Sequence, residues 1–130
     1  MRKKVFLPVV LSIALLSLCN IASAHHGTAG YDMQKVITVK GTVTEFDWTN
    51  PHCVIYVDSK ADNGEVQHWV LELGAPQHMI RSGWSKNAVK VGDEIAAETH
   101  PAKNGATVGT TGMQSSVLKV VVNGVALSTK

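Results

Sequence analysis

The side chains best able to do chemistry in this 130-residue chain are its six histidines, at positions 25, 26, 52, 68, 78 and 100. His25 and His26 directly follow Ala22-Ser23-Ala24. That tripeptide has the small residues at −3 and −1 behind which a signal peptidase cuts. Cleavage after Ala24 would give His25 a free α-amino group. An N-terminal histidine offers that amine and its ring Nδ1 to one metal ion, and a second histidine completes a T-shaped set of three nitrogens, a histidine brace. The donor set favours copper, which tops the divalent affinity order for nitrogen ligands. An α-amino group with a pKa of about 8 loses its proton to a metal at neutral pH.

The fold must supply the second histidine. His52 is the best placed, at the start of a strand directly after the Asn50-Pro51 turn signal. The candidate metal ligands are therefore His25, His26 and His52, with His26 the alternative second ligand. No spacing recruits His68, His78 or His100. A plainer reading stands beside this one: a His-His start binds Cu²⁺ or Ni²⁺ weakly without that being a function, and a histidine after Asn-Pro can simply cap a turn.

Other chemistries fit less well. A blue-copper site needs a Cys beside two His, but Cys53 is adjacent to His52, so on a strand the two point to opposite faces. The same parity separates Cys53 from a His base. No Ser-centred elbow, phosphate-binding glycine loop or paired-carboxylate motif is present. The expectation is a binding protein rather than an enzyme. Trp48, Tyr56 and Trp84 are the candidates to line a groove for a small ligand or a periplasmic protein partner, with core packing the competing role for the two tryptophans.

Charge sharpens the address. Arg2, Lys3 and Lys4 precede an apolar run over residues 6–19, about 14 residues and short of the ~20 that span a bilayer. Residues 1–24 read as a Sec-type signal peptide. They carry three of the twelve basic residues and no acidic one, so the remaining 106 residues have nine basic against ten acidic side chains, a net charge of −1. A weakly acidic domain lacks the electrostatic footprint for nucleic acid. The expected destination is the periplasm or the exterior, with no stable membrane insertion after cleavage. Of the two cysteines only Cys53 remains, and a lone thiol in an oxidising compartment is safest buried.

Hydrophobic periodicity supplies the elements. Residues 25–35 form an N-terminal segment, and residues 36–130 a domain of alternating strands. Ile37, Val39, Gly41 and Val43 share one face, but Phe46 and Trp48 have the opposite parity, which predicts a bulge near Thr44–Glu45. The next strands cover residues 52–59 and 66–73. Around Asp62-Asn63-Gly64, a three-residue loop pairs Val57 with Trp69, Ile55 with Leu71 and Cys53 with Leu73, all apolar, and sets His68 opposite Asp58. A short helix covers residues 76–82, from Pro76 to just before Gly83. A fourth strand follows at 94–100, a fifth within 113–122, and Asn123-Gly124 turns a last hairpin. The element order is that of an all-β, OB-like five-stranded small β-barrel with one short helix between strands 3 and 4. A small open sandwich is the runner-up.

Ala24-His25-His26, Trp48-Thr49-Asn50-Pro51-His52, Trp69-Val70-Leu71-Glu72, Arg81-Ser82-Gly83-Trp84 and Val91-Gly92-Asp93-Glu94-Ile95 together give the chain a wider likeness. It resembles domain-of-unknown-function family 6152, exported bacterial proteins without an assigned activity. The resemblance implies an exported OB-like β-domain and no particular reaction. It also implies weight for His25, His26 and His52 over the other three histidines.

Overall fold

The computed structural model describes residues 27–113 and 116–127. Strand β1 (Ile37–Asp47), β2 (Val54–Lys60) and β3 (Val66–Glu72) come first, then helix α1 (Pro76–Arg81), β4 (Glu94–Pro101) and β5 (Val108–Thr110). The strands pair in the order β1-β2-β3-β5-β4, and β4 returns to β1 to close a five-stranded barrel. This closure excludes the open sandwich. Strand β5 runs parallel to β3 and antiparallel to β4, so the helix lies between strands 3 and 4, as the element order implies.

Strand β1 makes the closure because it serves two partners. Residues 37–42 pair with β4 and residues 42–47 with β2. At the changeover the strands approach closely: a Cβ on Gly41 would stand 2.8 Å from the Asp58 carbonyl carbon and 2.9 Å from Val57 Cγ1. Only glycine fits there. Beyond it the register slips between Val43 and Glu45, leaving Thr44 as the bulged residue. The slip turns Phe46 to the face shared by Val43, as the parity change predicts.

The β2–β3 hairpin has the register expected from its apolar pairs: Val57 faces Trp69, Ile55 faces Leu71, and Asp58 faces His68. Ala61 N donates to Glu65 O at 2.9 Å, leaving Asp62-Asn63-Gly64 as the loop, with Gly64 at φ 85°. Helix α1 opens on Pro76 and ends before Gly83 at φ 85°. Val43, Cys53, Ile55, Leu71, Leu73 and Met79 are among the buried core residues.

The fifth barrel strand lies earlier than the expected 113–122 interval. Val108-Gly109-Thr110 has too little apolar alternation to read as a strand, and long-range pairing to Leu71 and Glu72 makes it one. Its central glycine is required by packing, since a Cβ on Gly109 would fall 2.8 Å from Thr99 Cγ2. The later residues form a small hairpin, β6 (Gly112–Met113) with β7 (Ser116–Val117), and then β8 (Val120–Val122), which pairs outside the barrel with β4. Asn123 and Gly124, at φ 49° and 82°, turn β8 into β9 (Val125–Ala126) as a tight hairpin.

Candidate functional site on the outer face

The alternation that buries Cys53, Ile55, Val57, Leu71 and Leu73 turns the intervening residues of β2 and β3 outward. Rows of outward residues cross the barrel from strand to strand. One row is Asp47, Val54, Glu72, Thr110 and His100; the next is Glu45, Tyr56, Val70 and Val108. Beyond them, toward the β2–β3 turn, stand Asp58 and His68.

A segment upstream of β1 is fastened across this face. Tyr31 forms an antiparallel bridge with Ala102. Asp32 N donates to Pro101 O at 2.9 Å, Lys103 N to Gly30 O at 2.9 Å and Lys103 Nζ to Ala29 O at 3.0 Å. At the downstream end His100 Nδ1 lies 2.8 Å from Lys35 O. The Tyr31 hydroxyl has the Glu72 carboxylate as its hydrogen-bond partner, and burial, that bond and the carboxylate charge all raise its pKa. Thr110, between Glu72 and His100 on the row beneath, is 2% exposed, and its hydroxyl has no hydrogen-bond partner among the described residues.

His25 and His26 lie outside the described residues. His52 is half-buried, next to Cys53, whose N–H donates to Gly74 O at 3.0 Å. That places it at the end of β2 away from the hairpin turn. Tyr56 is half-buried on the outer face between Glu45 and Val70. Trp48 packs against the core and stands edge-on to Phe46, with ring centroids 5.7 Å apart and planes at 73°. Trp84 is 3% exposed within the core cluster, with its backbone N–H bonded to Met79 O at 2.9 Å. The three aromatics therefore do not meet in one groove: Trp84 is enclosed, and Tyr56 lies on the outside.

Cys53 is buried, as its register requires, and its thiol is pushed up to about 11, first by burial and then by the Asp47 carboxylate, against a lowering hydrogen bond from the Thr49 backbone. It is a neutral core residue, unsuited to being a thiolate ligand or nucleophile. Among the described residues no three His, Cys, Asp or Glu side chains assemble into a metal-holding group. The contact that stands out is His68 Nδ1 to Asp58 Oδ1 at 2.6 Å, with the His68 side chain 80% exposed. Sequence parity sets these two opposite each other, but the fastening of the upstream segment to the end of β4 has no local signal. It depends on Tyr31 meeting Ala102, far along the chain.

The fold and this surface define a small OB-like β-barrel with an N-terminal strap on its outer face. The chain belongs to the family of unknown function DUF6152, whose pattern matches residues 13–113. No curated protein and no solved structure matches it.

Proposed function

We propose that the protein is exported to the periplasm, loses residues 1–24, and binds a transition-metal ion, copper foremost, through His25 and His26 together with a histidine from the barrel's outer face. The observation that supports this reading is the fastening of residues 29–32 to Pro101, Ala102 and Lys103. A strap fastened at residues 29–32 leaves only a short stretch of chain to be ordered between it and His25. This lowers the ordering cost of closing a metal site. His52 is the barrel histidine that sequence position recommends.

The test compares mature protein starting at His25 with a form carrying one extra residue before it. The brace requires the α-amine, so Cu²⁺ binds the first form tightly and one to one, and the second at least tenfold more weakly. Equal affinity for the two forms would overturn the reading.

A second reading is a metal-free binding module for a small ligand or periplasmic protein. The half-exposed patch of Val54, Tyr56 and Val70 on β2 and β3 favours it, because that face of an OB-type barrel is where ligands of this fold lie. Under it, Tyr56→Ala abolishes ligand capture and His25→Ala leaves it intact.

A further inference from the structure

We infer that the edge of β4 at residues 101–103, together with Glu72 on the outer face, is a docking site for an extended segment of a partner protein that carries a tyrosine. The protein's own strap, residues 28–35, occupies this site as an internal competitor. This rests on the metal-free reading above, to which it gives a ligand class, and it is independent of any metal.

Strand β4 presents two edges at this level. On the β5 side Ala102 N donates to Val108 O at 2.9 Å. Backbone groups of successive residues alternate between the edges of a strand, so Pro101 and Lys103 face the other side. There β1 pairs with β4 as far as Thr99, which stands opposite Ile37. Past Thr99 the strap takes over. Tyr31 bridges Ala102, Asp32 N donates to Pro101 O at 2.9 Å, and Lys103 N donates to Gly30 O at 2.9 Å. These bonds read backbone only, so any extended segment can make them, as in recognition by strand addition.

Side chains supply the selectivity. The Tyr31 hydroxyl bonds the Glu72 carboxylate, and a phenol joins an apolar ring to a donor at its tip. Lys103 Nζ donates to Ala29 O at 3.0 Å, and His100 Nδ1 lies 2.8 Å from Lys35 O, so the segment is held toward both ends. Glu72, Thr110 and His100 stand side by side across β3, β5 and β4. Thr110 is 2% exposed, and its hydroxyl has no partner among the described residues. The strap thus leaves one polar group of the site unused. A partner segment that also bonds Thr110 fits the site better than the strap does.

Little apolar burial holds the strap in place. Its 3-10 turn, Thr28–Gly30, buries no residue, and Met33 is 44% exposed. Tyr31 and Asp32 are its half-buried residues, and the others are exposed. A segment attached by hydrogen bonds with few apolar contacts belongs to the low-stability end of a fold. When it lifts, Pro101 O and Lys103 N become an exposed strand edge, a template for pairing with another chain.

The experiment measures, by fluorescence anisotropy, binding of a labelled peptide of residues 27–35 to the purified protein and to its Tyr31→Ala and Tyr31→Phe variants. Tyr31→Ala is expected to bind the peptide. The parent is expected to bind it about tenfold or more weakly, because a tethered strap competes at high effective concentration, with Tyr31→Phe between the two. The same peptide carrying Tyr31→Phe is expected to bind the Tyr31→Ala protein about tenfold more weakly than the tyrosine peptide does. Adding Glu72→Ala to that protein is expected to erase this preference, an effect that a general loosening of the fold would not produce. Equal binding to the parent and both variants, or binding to neither variant, overturns the inference. So does p-cresol that displaces the labelled peptide as well as unlabelled peptide does, since a small phenol makes none of the backbone bonds. If Tyr31→Ala fails to fold by circular dichroism, Tyr31→Phe decides alone: binding no tighter than the parent's overturns the inference. Capture of another ligand that still depends on Tyr56 would then leave the metal-free reading standing.

Discussion

The Tyr31 hydroxyl is hydrogen-bonded to the Glu72 carboxylate, joining a residue upstream of the first strand to the end of the third. Backbone pairing sets Tyr31 beside the end of β4, while Glu72 lies on β3, two strands along the sheet. The bond ties the strap to the barrel through a side chain as well as through the backbone pairing at Ala102.

Tyr31→Phe keeps the ring and removes the bond. It leaves the Glu72 carboxylate without that donor, and a lost hydrogen bond of this kind costs about 1–2 kcal/mol. Amide hydrogen exchange is the direct measurement. Exchange at Asp32 and Lys103, whose N–H groups bond Pro101 and Gly30, is expected to quicken while that at Ile55 and Leu71 changes little. Equal protection of Asp32 and Lys103 in the two proteins would show that the backbone pairing alone holds the strap.

The proposed export makes a prediction independent of any ligand. Protein recovered from the periplasm is expected to have a mass corresponding to residues 25–130, with His25 as the first residue on N-terminal sequencing. Retention of residues 1–24, or a cut at another bond, would remove the amine on which the metal reading depends.

Gly109→Ala places a methyl group against Thr99, 2.8 Å from Cγ2 and 3.0 Å from Cβ. Overpacking of this kind costs about 1–3 kcal/mol. Thr99→Ala removes the nearer side-chain atoms, so the double variant is expected to recover part of the loss, a non-additivity that urea denaturation can read. Gly41→Ala has no such remedy, because its methyl meets the carbonyl group of Asp58; this variant is expected to fail to accumulate as folded protein.

Cys53 predicts the alkaline limb of stability. Its thiol rises from 9.0 to about 11 in the folded protein, so the folded state holds this proton more tightly than the unfolded chain. The stabilisation is complete below about pH 9 and is lost as pH rises through about 11, amounting to roughly 2 kcal/mol over that window. Tyr31, whose pKa is also raised, acts in the same direction. Urea denaturation at pH 8, 9, 10 and 11 is expected to show the decline, with a shallower slope in Cys53→Ala. A thiol reagent at pH 7.5 is expected to label Cys53 only after unfolding.

Much of the barrel was legible along the chain because alternation of period two and turn residues are local properties. The mismatch in parity between Val43 and Phe46 foretells the bulge. The demand that Ile55 and Val57 meet apolar partners selects the three-residue hairpin loop, and with it the inward Cys53 and the Asp58–His68 pair. Strand β5 escaped this logic. Val108-Gly109-Thr110 shows no alternation, and its glycine reads as a breaker until Thr99 is seen packed against it. Trp84 could be assigned to core or groove from its neighbours in sequence, and enclosure in the core cluster decides for the core.

By itself, the amino-acid order determined the succession of three strands, helix and fourth strand, the faces of the first three strands, the caps of the helix and the candidate histidines. The tertiary structure decided which distant segments meet: β5 beside β3, β1 closing on β4, and Tyr31 against Ala102 and Glu72. The physical reason is range. A turn or an alternating face is set by neighbours a few residues apart. A parallel pairing or a strap is set by the complementarity of surfaces that exist only after the barrel has closed.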